Sequence, residues 1–157
     1  MAALTRESTL HLPYLLNKRA AVILIVDLAA GLLCIAAAQT TRSVWDGIYT
    51  ADQAKRGKLI YSERCFSCHG PELSGGDAVP PLTGSQFLSN WNTLTLGDLF
   101  DRIRVSMPAD KPGSLSRQQN ADVLAYILSF DNFPAGNSEL EAQSLILKQI
   151  KFDAFKP

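Results

Sequence analysis

The chain has 157 residues, 46% hydrophobic and 19% charged, a size that suits one domain and a composition too apolar for a disordered chain. Its 15 basic and 15 acidic side chains cancel, which leaves no basic stripe for a nucleic-acid backbone and excludes that class of partner. Three cysteines are too few to staple a disulfide-rich scaffold, so each needs its own explanation.

From the N-terminus, Lys18-Arg19 precedes an apolar run, Ala20 to Ala38, broken only by Asp27 and closing on Ala36-Ala37-Ala38-Gln39. A basic lead, an apolar stretch and an A-x-A ending read as an export signal cut before Gln39. The unbroken part, Leu28 to Ala38, falls short of the roughly 20 residues that cross a bilayer. Asp27 inside a membrane helix would also be costly. Residues 1–38 are therefore expected to be a cleaved signal peptide. The alternative is an uncleaved anchor, the one circumstance in which a membrane becomes a partner. Cys34 goes with this segment, leaving Cys65 and Cys68 for the mature chain.

Residues 39–50 read as an N-terminal arm carrying Trp45 and Tyr49. Thr50-Ala51-Asp52-Gln53 has capping-box spacing and opens a predicted helix running toward Arg64. Gly70 to Gly84 is rich in Gly and Pro and reads as a loop, followed by a short helix over Gln86–Asn92. Leu96, Leu99, Phe100 and Ile103 share one helical face behind a Thr95 cap. Pro108, Pro112 and Gly113 make the stretch from Met107 to Leu115 irregular. Ser116-Arg117-Gln118-Gln119 is a second capping box, opening a helix with Val123, Leu124, Tyr126, Ile127 and Phe130 as its apolar positions. Pro134-Ala135-Gly136 breaks the chain, and Leu140 to Ile150 shows a further amphipathic pattern. No run alternates as a strand does. The expected fold class is all-α, with short helices, long loops and a core sparse enough to want a cofactor at its centre.

Cys65-Phe66-Ser67-Cys68-His69 supplies one. In a C-x-x-C-H pentapeptide two thiols add to the two vinyl groups of a haem, and the adjacent imidazole reaches the iron. Three other readings compete. A thioredoxin-like pair wants a βαβ setting that the pattern lacks. A structural zinc wants four ligands, and here the only other histidine, His11, precedes the expected cleavage point. A plain disulfide leaves His69 without a role. One covalent haem c is the expectation. After cleavage Met107 is the only methionine, and it sits where a helix gives way to a loop; it is the candidate sixth ligand, against the commoner use of Met as a core filler. His69 also needs a carbonyl for its second ring nitrogen. Pro80 is the preferred source and Pro81 the alternative, against two prolines that merely stiffen a loop. Trp91, Arg102 and Arg104 are candidates for contacts to the haem propionates, with ordinary surface roles equally open to the arginines.

Taken together, the N-terminal helix, C-x-x-C-H, the Pro80-Pro81-Leu82 loop, Met107-Pro108 and a C-terminal helix resemble the class I c-type cytochromes. The likeness covers about residues 51–131 and leaves 132–157 as a C-terminal extension with one amphipathic helix. It implies the cytochrome c fold, with Gly57 and Tyr126 where the first and last helices cross. The segment Ser106 to Leu115 is similar to bacterial periplasmic members, some of which accompany quinone-cofactor dehydrogenases. The implied function is a periplasmic one-electron carrier with His69 and Met107 on the iron, and not an enzyme in its own right. Its partners would be redox proteins: a dehydrogenase as donor, an oxidase or another cytochrome as acceptor. The alternatives are a haem subunit of a dehydrogenase complex, a haem peroxidase, or a sensor.

Overall fold

Thr50 ends the N-terminal arm and starts the first long helix by accepting the Gln53 amide on its hydroxyl at 3.1 Å. The computed structural model describes residues 42–156; the expected signal peptide and Cys34 lie outside them. In chain order the described elements are β1 (Arg42–Ser43), α1 (Ala51–Arg64), α2 (Phe66–His69), α3 (Gly84–Trp91), α4 (Leu96–Ser106), α5 (Arg117–Phe130), α6 (Ser144–Leu147) and β2 (Ile150–Lys151). The fold is all-α, as the periodicity requires. One departure is a two-residue parallel ladder, Arg42 opposite Ile150 and Ser43 opposite Lys151. Strands that short leave no period-two signal in a sequence.

The capping boxes at Thr95–Asp98 and Ser116–Gln119 form in both directions. The box expected at Thr50 forms by half. The Gln53 side chain, 0% exposed, turns away from Thr50 and pairs with the Leu140 backbone: its Nε2 donates to Leu140 O at 3.0 Å, and Leu140 N donates to its Oε1 at 2.6 Å. A buried backbone amide and carbonyl without secondary structure must find partners, and the side-chain amide offers both an acceptor and a donor.

That pairing also explains the correction needed at the C-terminus. Leu140 to Ile150 is not one amphipathic helix; only Ser144–Leu147 is helical. Leu140 is held by Gln53 and Ile150 belongs to β2, so both ends of the stretch already have non-helical partners. Leu140, Leu147 and Ile150 are buried while Leu145 is 80% exposed.

α1 and α5 cross at Gly57. A Cβ built there would lie 1.8 Å from the Asp122 carbonyl oxygen and 3.0 Å from Tyr126 Cβ, so only glycine admits this approach. Arg56 fastens the crossing, donating to both Asp122 oxygens at 3.2 and 3.1 Å. Leu99, Phe100 and Leu124 from the helices share one core with Val44 and Ile48 of the arm and Leu147 and Phe152 of the tail. A row of edge-on rings joins them: Trp45 to Phe133 at 4.8 Å, Phe133 to Phe152 at 5.5 Å, and Phe152 to Phe87 at 5.9 Å.

Candidate cofactor-attachment site

Cys65 ends α1, its amide bonded to Tyr61 O at 2.9 Å, and at once caps the single turn of α2. Within that turn Cys68 N and His69 N both bond to Cys65 O, at 3.2 and 2.9 Å. Residues three and four apart on a helical turn lie on one side, so the turn gathers Cys65, Cys68 and His69. Tyr61 anchors the exit: its hydroxyl donates to Gly70 O at 2.6 Å.

Neither Cys65 nor Cys68 is in a disulfide. Cys65 is half-buried, and burial pushes its thiol up to about 11, the reverse of what a reactive redox cysteine requires. Cys68 is exposed, with Ser67 Oγ 3.8 Å from its sulfur. Among the described residues no three His, Cys, Asp or Glu side chains cluster as a metal site would need. Cys65, Cys68 and His69 therefore share a side without converging on a point. That suits two thiols meeting the rim of a flat ring and an imidazole meeting its centre; it does not suit tetrahedral zinc.

His69 is 6% exposed, and its Nδ1 lies 3.1 Å from Pro80 O. A carbonyl only accepts, so Nδ1 carries the proton and Nε2 keeps its lone pair. Burial pulls the ring's pKa below its ordinary value, partly offset by the Pro80 bond, a direction that favours the neutral imidazole. The loop that returns Pro80 to the ring is held by Gly75 N to His69 O at 3.0 Å, Gly76 N to Val79 O at 3.0 Å, and Leu82 N to Leu73 O at 2.7 Å. Gly75 has φ +68°, and a Cβ there would meet Val79 O at 2.2 Å and Pro80 C and O at 2.9 Å. The loop closes only with glycine at that point.

Met107 terminates α4 in extended conformation, φ −122° and ψ 152°, with its amide still bonded to Ile103 O at 2.9 Å. Its side chain is partly buried against the same core as Cys65 and Leu82. Arg104 turns its guanidinium to Asp101 on its own helix, at 3.3 Å, and Arg102 is exposed. Trp91 is half-buried, its ring tilted against Phe87 at 6.4 Å. Two contributors escaped the sequence reading. Tyr61 carried a faint signal, lying four residues before Cys65 on the same helical face; Asp131, whose carboxylate binds Thr83 and Gly84, carried none.

These residues fit a covalent haem: unpaired thiols on one turn, a buried imidazole whose Nδ1 is held by the Pro80 carbonyl, and a thioether at the end of its helix. Comparison with known proteins agrees. Residues 52–127 match the family described as cytochrome c oxidase, cbb3-type, subunit III. Thiosulfate dehydrogenase of Stutzerimonas stutzeri (strain A1501) is 36% identical over 85 residues, 48% of this chain and 27% of that protein, so the chain spans about a quarter of the length of the relative it matches. The crystal structure of the sulfane dehydrogenase SoxCD from Paracoccus pantotrophus aligns over 73% of this chain and 64% of that one, at 19% identity and a TM-score of 0.42, too loosely for anything to rest on it. Residues 52–127 form a c-type cytochrome domain, a member of the electron-transferring family that holds haem through cysteine.

Proposed function

We propose that this chain is an exported, single-haem, one-electron carrier with His69 and Met107 as the axial ligands. The observation that carries the reading is the state of His69. It is buried, with Nδ1 committed to the Pro80 carbonyl, and it follows Cys68 directly on the turn that Cys65 opens. A haem held here supplies the one-electron iron couple. Cys65 and Cys68 tether it, His69 presents Nε2, and Met107 offers the softer ligand that raises a potential. Catalysis at iron wants a free sixth position and acid–base groups beside it. Met107 closes the one, and among the described residues no second imidazole supplies the other. Only the apolar N-terminal run argues for export, and the periplasm is the compartment it implies.

The redox partners follow from the same reading. Phe66 stands 47% exposed between the two cysteines and gives an apolar contact at the attachment turn. Pro108 is buried and gives none. Small apolar patches suit encounters that must dissociate after each electron. A second reading, a haem module within a dehydrogenase assembly, is favoured by the 36% identity to part of an enzyme.

Met107→Ala is the test. The oxidised wild type is expected to show the weak near-infrared band of sulfur–iron(III) ligation, and its reduced form to bind carbon monoxide slowly. The variant is expected to lose the band, fall in potential and bind carbon monoxide rapidly. An unchanged spectrum in the variant would remove Met107 from the iron. Fast carbon monoxide binding by the wild type would favour a peroxidase or sensor.

A further inference from the structure

Asp131 closes α5 and reaches from there to the loop that serves His69. Its amide bonds to Ile127 O at 3.1 Å, which fixes it on the helix end. Its Oδ1 accepts from Thr83 Oγ1 at 2.8 Å and from Gly84 N at 3.1 Å, the residues that open α3. Only Pro81 and Leu82 separate Thr83 from Pro80, whose carbonyl lies 3.1 Å from His69 Nδ1. The other carboxylate oxygen, Oδ2, is buried and has no hydrogen-bond partner. Burial raises this carboxyl's pKa, opposed by the Thr83 and Gly84 bonds. A buried unpaired oxygen is costly and calls for an explanation. Two strong charge-assisted bonds to one loop are what the arrangement gives in return.

We propose that Asp131 is a positioning residue for His69: it latches the loop that follows Pro80 to the end of α5, and so keeps the Pro80 carbonyl on the imidazole Nδ1–H. Backbone bonds fasten the loop elsewhere: Gly75 N to His69 O at 3.0 Å, the Gly76–Val79 pair at 3.0 and 3.2 Å, and Leu82 N to Leu73 O at 2.7 Å. All of these lie within the segment from His69 to Leu82. Tyr61 of α1 holds the start of the loop at Gly70 O, and Asp131, at the end of α5, ties down the side that follows Pro80. The carbonyl's grip on Nδ1–H sets how strongly the ring donates through Nε2, and hence the reduction potential. Firm grip lowers the potential; a loosened loop lets it rise.

The proposal rests on His69 being an axial ligand, and the test separates the two. Asp131→Asn and Asp131→Ala are compared as holoproteins by redox titration and by proton NMR of the His69 Nδ1–H. Both variants lack the charge, but only Asn keeps an oxygen for Thr83 and Gly84. The expected result is a higher potential in Asp131→Ala than in Asp131→Asn, with faster solvent exchange of the Nδ1 proton. Thr83→Val leaves the carboxylate charge in place and is expected to move both readouts in the same direction from wild type, by less. It also serves if Asp131→Ala does not fold. Thr50→Ala, which loses a helix cap, is the control: stability falls and the potential stays. Equal potentials and equal exchange in the Asn and Ala variants, or a Thr83→Val protein identical to wild type, would overturn the latch while the wild-type spectrum still reported histidine ligation. A wild-type spectrum without histidine ligation would overturn the ligand assignment, and the latch with it.

Discussion

Tyr61, 2% exposed on the buried face of α1, donates its hydroxyl to the carbonyl of Gly70, the residue directly after His69. Tyr61→Phe keeps the ring and its contact with Tyr126 at 5.3 Å but leaves that carbonyl without its partner. A lost partner of this kind costs about 1–2 kcal/mol. Denaturant unfolding of the holoprotein is expected to show that loss with an unchanged slope; no shift in midpoint would mean that water replaces the hydroxyl. At this scale legibility follows chemistry. Cys65, Cys68 and His69 stand out in the sequence because covalent attachment fixes their spacing. Pro80 was legible because an imidazole ligand needs a carbonyl. Asp131 and Gln53 were not, because what they do depends on Thr83, Gly84 and Leu140, far away along the chain.

Among the elements, the α1–α5 crossing carries the most consequence, since α1 ends on Cys65 and α5 ends on Asp131. Gly57→Ala puts a methyl 1.8 Å from the Asp122 carbonyl oxygen, a backbone atom that no rotamer change can move aside. Overpacking against backbone is expected to cost about 3 kcal/mol or more, so the variant should melt well below the wild type or fail to mature. A wild-type melting temperature would show that the helices separate without penalty. Caps and apolar faces marked α1, α4 and α5 clearly, because local signals alone decide them. The tail misled for the opposite reason: its apolar spacing is genuine, but Gln53 and β1 claim the backbone at its two ends.

Over the whole molecule, the arm and the tail lie outside the matched segment 52–127 yet are built into its core. Tyr49 donates to Phe133 O at 2.6 Å, and Trp45 Nε1 donates to Asp153 O at 2.9 Å. The Trp45–Phe133–Phe152–Phe87 row packs both onto α3, which begins just beyond the Pro80 loop. Composition and motif gave away the class of protein, an all-α chain around a cofactor, while this long-range closure left no mark that periodicity could reveal. Covalent attachment of a single haem through Cys65 and Cys68 is tested most directly by the intact mass of the denatured protein, expressed in cells that mature c-type cytochromes. The expected result is the polypeptide plus one haem, with the colour retained through acid–acetone extraction. A bare polypeptide mass, with the colour in the organic phase, would contradict it.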